Sequence, residues 1–216
     1  AERYYRTITR RFGFTRRDGF WLWERRAKIY LYDDRAQFRG AVGAPAWATG
    51  KAEFSKRRVS LLGRGDPLLD KVLPHELAHL IFRDFTGFQG NVPLWLDEGV
   101  AQWAEEGASA EAEALMRQLV RRDRAIPMRE LTGITVPLLQ HFRRAGLFYA
   151  QSASLVAYLS EVHGSARFRK LCGQLRDGKS LDDALRFTYP RTLRSIEALE
   201  EAWIAYLEEE AMEGSR

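Results

Sequence analysis

The sequence predicts an α+β protein: a small, mostly antiparallel sheet packed on one buried helix, followed by an all-helical half. Three observations carry that expectation. Between residues 27 and 65, short runs of β-formers alternate with turn residues. From Asp66 onward, apolar residues recur at helical spacing. A chain of 216 residues with 45% hydrophobic and 29% charged residues has the make-up of a globular domain able to bury a core.

The front is mixed. Residues 3–12 (RYYRTITRRF) make a short helix, residues 27–32 (AKIYLY) a strand, and Asp33-Asp34 the start of a second helix. Glycines 40, 43, 50, 63 and 65 frame two further strands at residues 46–49 and 58–62, a turn-rich antiparallel arrangement. Asp66-Pro67 then reads as an N-cap followed by Pro at the first helical position. Leu68, Leu69, Val72, Leu73, Leu77, Leu80 and Ile81 give this helix its buried stripe, with a kink expected near Pro74. Pro93 opens the next helix through about Glu106, Gly107 breaks the chain, and residues 109–122 form a third with Ser109 as cap. Helices at 146–163, 166–176, 180–187 and 193–210 follow, the last with Leu193, Ile196, Leu199, Trp203 and Leu207 on one face. The organisation expected is a mixed half (1–108) and a helical half (109–216), together one domain with a cleft between them.

Composition excludes several function classes. No apolar run is long enough for a membrane-spanning helix, and the arginine-rich first residues lack the apolar stretch of a signal peptide. The chain opens on Ala1 rather than Met, which reads as a processed product. The lone Cys172 excludes an internal disulfide framework and a thiolate metal cage, so any metal must use histidines and carboxylates. Residues 1–58 carry 15 Lys/Arg against 6 Asp/Glu, and residues 195–216 one Arg against 7 Glu, within a net charge of +5. Such runs read as solvated surface, and no nucleic-acid partner is expected.

The stretch that carries chemistry is His75-Glu76-Leu77-Ala78-His79. Histidines four apart lie on one helical face, so two imidazoles can converge on one ion with Glu76 beside it. A third ligand is available in Trp95-Leu96-Asp97-Glu98-Gly99, since Glu98 follows His79 by 19 residues, room for a loop and an antiparallel helix. Three protein ligands that leave a fourth position for water are the open arrangement of catalytic zinc. On the same helix Asp97, Gln102 and Glu105 are placed to orient the histidines through hydrogen bonds.

HExxH, eighteen residues, then Glu in a WLDEG setting resembles the gluzincin metallopeptidases, most of all the bacterial peptidase-MA-like proteins and the aminopeptidase N type. The resemblance is specific over residues 66–106 and continues more weakly through Phe148-Tyr149-Ala150-Gln151-Ser152 and through residues 180–203. It implies a zincin, thermolysin-like catalytic domain holding one Zn²⁺ per chain. It also implies His75, His79 and Glu98 as metal ligands, Glu76 as general base and acid, and Tyr149 as donor to the developing oxyanion. Tyr158 and His163 are lesser candidates for that last role.

The sequence departs from the aminopeptidase N pattern at Asp97, where that group commonly has Asn, and in residues 43–50 (GAPAWATG), which lack the acid that grips a free amino terminus. Internal cleavage of a peptide or protein substrate is therefore expected over amino-terminal cleavage. Ala46, Trp47, Ala48 and Thr49 are candidates for an edge strand that pairs with an extended substrate, with residues 58–62 the other candidate. Rival readings are a zinc hydrolase of a non-protein amide and a metal-keeping binding module without turnover. Trp21, Trp23 and Trp47 are expected in the core, and no role is assigned to His141 or Cys172. The family resemblance and the non-Met start favour an exported protein over a cytoplasmic one.

Overall fold

The computed structural model describes residues 1–14, 27–43, 48–87 and 91–213. Ala46, Trp47, Trp21 and Trp23 lie outside them. The element order is α1 (Glu2–Arg11), β1 (Lys28–Tyr32), α2 (Arg35–Val42), β2 (Gly50–Glu53), β3 (Arg58–Leu62), α3 (Leu73–Thr86), α4 (Leu94–Ala104), α5 (Ala108–Val120), α6 (Met128–Gly133), α7 (Val136–His141), α8 (Ala145–Ala157), α9 (Ser165–Arg176), α10 (Leu181–Thr188) and α11 (Ile196–Glu213). Most of the described chain is thus helical, around one small sheet.

That sheet has the order β1-β3-β2 and is mixed, not mostly antiparallel as the turn-rich sequence suggested. β2 and β3 form an antiparallel hairpin, but β1 runs parallel to β3, with Ile29 opposite Val59 and Leu31 opposite Leu61. The reason is α2: Asp34 caps it by accepting from the Gln37 amide at 2.7 Å, and Gly43 ends it in the left-handed region at φ 58°. A helix between β1 and the hairpin is the crossover that a parallel pair requires. Central β3 is buried on both faces. Val59 and Leu61 enter the main core, while Leu62 packs with Phe38, Val42 and Ala48 beneath α2.

Of the strand expected at residues 46–49, the described residues Ala48 and Thr49 are not strand. β2 begins at Gly50, and Ala48 and Thr49 precede it. Among the described residues β2, not β3, is the edge strand beside α3.

The buried helix begins irregularly. A π-helical turn (Leu68–Val72) leads into α3, and Pro74 sits in the first turn of α3. Proline has no N–H to give to the Asp70 carbonyl four residues back. That carbonyl instead accepts from the Glu106 amide at 3.0 Å, which ties the end of α4 to the start of α3. Leu77, Ala78, Leu80, Ile81 and Phe82 then bury α3 against α1, α4 and α9.

Helix α4 lies between α3 and α8, and Gly99 is what lets it approach α8. A Cβ at this position would stand 2.5 Å from the Ser152 carbonyl oxygen and 2.7 Å from a Val156 methyl. α5 is capped by Gly107 rather than by Ser109, which lies inside the helix: the left-handed φ of 80° at residue 107 suits glycine. Two short helices, α6 and α7, were not expected. Gln151, fully buried on α8, fixes the chain ahead of α6 by accepting from the Ile126 amide (2.8 Å) and donating to its carbonyl (2.7 Å). α11 closes the helical half, with Trp203 donating to the Ser154 hydroxyl at 3.1 Å. One buried core runs from Tyr5 to Leu207.

Candidate functional site

α3 and α4 meet so that one face of each supplies the chemistry. His75 and His79, one turn apart on α3, bring their Nε2 atoms to 3.2 Å of each other. Glu98 Oε2 on α4 lies 3.8 Å from the first and 3.7 Å from the second. Donor atoms of these three residues all fall within 4.8 Å of one another, the one such group of three or more among the described residues that can hold a metal ion.

Each imidazole is fixed from behind. Nδ1 of His75 lies 2.8 Å from Glu105 Oε1, which also accepts from Gln102 Nε2 at 2.8 Å. Nδ1 of His79 lies 3.2 Å from Asp97 Oδ1, and the other Asp97 oxygen takes Arg83 Nη2 at 2.7 Å and Nε at 3.2 Å. A carboxylate accepts only, so each Nδ1 carries a proton, and a neutral ring then presents its lone pair at Nε2. Two such lone pairs 3.2 Å apart, with a carboxylate oxygen opposite, repel one another unless a cation or a proton lies between them. The donor set of two imidazoles and one carboxylate therefore fits a divalent ion of the zinc type.

The electrostatics agree. Burial disfavours the His79 imidazolium, yet Asp97 against the ring, with Glu98 and Glu76 near it, outweighs burial and pushes the pKa up to about 10. Burial likewise pushes Asp97 up, but His79 and Arg83 hold it below the ordinary carboxylate range. A site that attracts a proton this strongly attracts a cation for the same reason.

Glu76 is buried beside the two histidines, and burial raises its pKa against the opposing pull of His79 and His75. β2 covers it. A Cβ on Gly50 would meet Glu76 Oε1 at 2.5 Å and Val72 Cγ1 at 2.6 Å, so any larger residue would force one of these side chains or the strand to move. Tyr149, on the second turn of α8, shares a cavity of about 490 Å³ with His75, His79, Glu76, Glu98 and Asp97. Burial first, then Glu98 and Glu76, push its phenol up to about 12, so it stays a protonated donor at neutral pH. Tyr158 and His163 instead stack edge-on with each other, ring centroids 4.9 Å apart, and line none of the described cavities at the histidines.

The sequence-predicted residues His75, Glu76, His79, Asp97, Glu98, Gln102, Glu105 and Tyr149 therefore come together. Ala48 and Thr49 line the cleft without being strand. Gly50 and Arg83 were missed. Arg83 lies four residues after His79 on the same helical face, a readable signal, whereas nothing in the sequence separates Gly50 from a turn glycine.

Among the described residues no helix is long and apolar enough to cross a membrane. Compared with known proteins, the chain matches the family model of the Peptidase MA superfamily over residues 19–209. Protein SprT of Serratia proteamaculans (strain 568) is similar to it, 37% identical over 75 residues that make up 33% of this chain and 41% of that protein. The match thus spans less than half of the relative's length. No solved structure matches. A match over residues 19–209 leaves only the two ends of the 216-residue chain outside it, and the chain therefore belongs to the Peptidase MA superfamily.

Proposed function

We propose that this chain is a zinc-dependent peptidase that cleaves peptide bonds within a chain. The observation that supports it most is the convergence of His75, His79 and Glu98 donor atoms within 4.8 Å beside the buried Glu76. Zinc held by these three residues supplies polarisation of the scissile carbonyl and a water acidified to a pKa of about 7. The remaining work falls to side chains of this chain. Glu76 takes a proton from the attacking water on its carboxylate and passes it to the leaving amine nitrogen. Tyr149 donates its phenolic proton in a hydrogen bond to the carbonyl oxygen as charge develops there. Asp97 and Glu105 keep both histidines in the tautomer that ligates through Nε2.

Cleavage inside a chain is favoured by the shape of the cleft. It extends past the histidines on both sides: a cavity of about 240 Å³ runs towards Lys71, Val72 and Gln102, and larger space opens towards Val136. Substrate can then continue in both directions from the cleaved bond. The free edge of β2 beside Glu76 is suited to pair with an extended backbone, the part first given to residues 46–49.

The test is Glu76→Gln. The variant is expected to bind one equivalent of zinc like the wild type and to lose chelator-sensitive hydrolysis of a peptide library by about 10²-fold or more. Hydrolysis at the wild-type rate would remove Glu76 from the reaction. Zinc binding by the wild type with no cleavage of any peptide would favour a non-peptide amide or a binding module.

A further inference from the structure

A second cavity opens from the site on the α7 side. It measures about 600 Å³ and is mostly apolar, walled by Val136 and Leu139 of α7, Phe142 after it and Ala145 at the start of α8. Its remaining walls include Glu98 and Tyr149, the same two side chains that face the histidines, so it is continuous with the reaction centre. Lys51 of the edge strand also lines it, but its ammonium is engaged by the Val42 carbonyl.

Its outer wall is thin and open to solvent. No residue of α7 is buried, and Val136 and Leu138 are exposed at 55% and 58% although both are apolar. The six-residue helix is held at its start by the Leu139 amide on the Thr135 carbonyl and at its end by the Phe142 amide on the Leu139 carbonyl. Of Val136 and Leu138, Val136 lines both cavities at the reaction centre, and an apolar side chain exposed there gains contact when something apolar arrives.

We propose that this cavity takes a large apolar side chain, aliphatic or aromatic, of the substrate residue next to the cleaved bond. The proposal rests on the peptidase reading above and adds the substrate class. A charged side chain would lose its hydration against these apolar walls, and Lys51, the one cation among the described lining residues, is already engaged by a carbonyl. Small residues leave the space unfilled. In an apolar pocket one methylene more or less changes discrimination by about 10- to 200-fold.

Binding and turnover are measured separately. Zinc-loaded Glu76→Gln is titrated calorimetrically with Ala- and Ser-containing heptapeptides that carry Ala, Leu, Phe, Asp or Lys at the centre. The wild-type enzyme is given a peptide library, with and without chelator. The Leu and Phe peptides are expected to bind about tenfold or more tighter than the Ala, Asp and Lys peptides, and cuts to cluster beside large apolar residues. Ala145→Phe in the Glu76→Gln background, which fills the cavity, should bring Leu and Phe down to the level of Ala. Val136→Lys at the exposed rim should do the same in part, and serves if Ala145→Phe does not melt cooperatively.

Equal affinities across the series, or a preference that survives Ala145→Phe, would overturn the proposal. Chelator-sensitive cleavage without side-chain preference would overturn the pocket and leave the peptidase reading intact. A graded preference in binding with no turnover by the wild type would keep the pocket and remove the peptidase reading. Failure of every peptide to bind would remove both.

Discussion

Gly50 and Glu76 are packed so closely that a Cβ on residue 50 would lie 2.5 Å from the Glu76 carboxylate oxygen and 2.8 Å from its Cγ. Strand β2 and helix α3 thus fix the glutamate between them. Its rotamer is held by a strand passing at contact distance, whose Ala52 backbone also hydrogen-bonds the carboxylate.

Gly50→Ala should therefore act on the reaction and spare the metal. The new methyl must push Glu76 or β2 aside, and a shift near 1 Å at a proton-transferring group costs about 10²-fold in rate. The atoms nearest to a methyl at residue 50 belong to Glu76 and Val72, not to His75, His79 or Glu98, so zinc stoichiometry and affinity should stay within a few-fold of wild type. Zinc titration beside kcat measurements checks this. An unchanged kcat would show that β2 yields freely.

Arg83 holds Asp97, and Asp97 holds His79, in one chain of contacts at 2.7 and 3.2 Å. Asp97→Asn weakens the acceptor that keeps the Nδ1 proton in place, and Arg83→Met frees Asp97 to turn. Groups that orient metal-binding histidines typically contribute 10- to 100-fold in affinity. Asp97→Asn should fall in that range and Arg83→Met below it, with the double variant no worse than Asp97→Asn alone. Competition with a chromogenic chelator measures all three, and additive losses would mean that Arg83 acts independently of Asp97.

How much of this was legible in the sequence follows from how local each feature is. His75, Glu76 and His79 declare themselves because helical periodicity alone puts them side by side. Glu98, Asp97 and Gln102 are legible because one further helix carries them; Glu105, expected on the same helix, instead follows its end as the C-cap, in extended conformation, yet still reaches His75. Gly50 is not, because its constraint comes from a strand meeting a helix across the fold. The parallel pairing of β1 with β3 depends on where α2 crosses, and turn residues do not encode that. α6 and α7 span six residues each, too few for a periodic pattern to form, so the walls of the apolar cavity stayed hidden.

The His79–Asp97 contact also makes the metal-free protein sensitive to pH. The folded pKa of His79 is pushed up to about 10, above the ordinary value of 6.5, so the proton is held more tightly in the folded state. A raised pKa stabilises the fold fully below pH 6.5, and the contribution is lost as pH rises towards 10. Urea midpoints in excess chelator should fall across that window, and Asp97→Asn should flatten the fall. Zinc held as proposed would replace this proton, so its binding should release protons and tighten as pH rises. A flat chelated profile would show that the contact carries no net charge coupling.

Gly99 sets the distance between α4 and α8, and two effects of Gly99→Ala oppose each other. Alanine in a helix interior gains roughly 0.5–1 kcal/mol over glycine. Against that, the added methyl would stand 2.5 Å from the Ser152 carbonyl oxygen and 2.9 Å from its carbon, backbone atoms that move only if the two helices separate. Overpacking of this kind costs about 1–3 kcal/mol, so the clash prevails. A domain of this size loses roughly 2–4 °C in Tm per kcal/mol, and Gly99→Ala should melt several degrees below the wild type. Because Glu98 is the adjacent residue and Tyr149 lies one turn before Ser152, the same displacement should widen the gap between α4 and the cleft and weaken zinc as well. Gly133→Ala, whose Cβ would meet nothing within 4 Å, is the control and should leave both unchanged. A Gly99→Ala protein with wild-type Tm and zinc affinity would mean that α4 and α8 can part without disturbing the site.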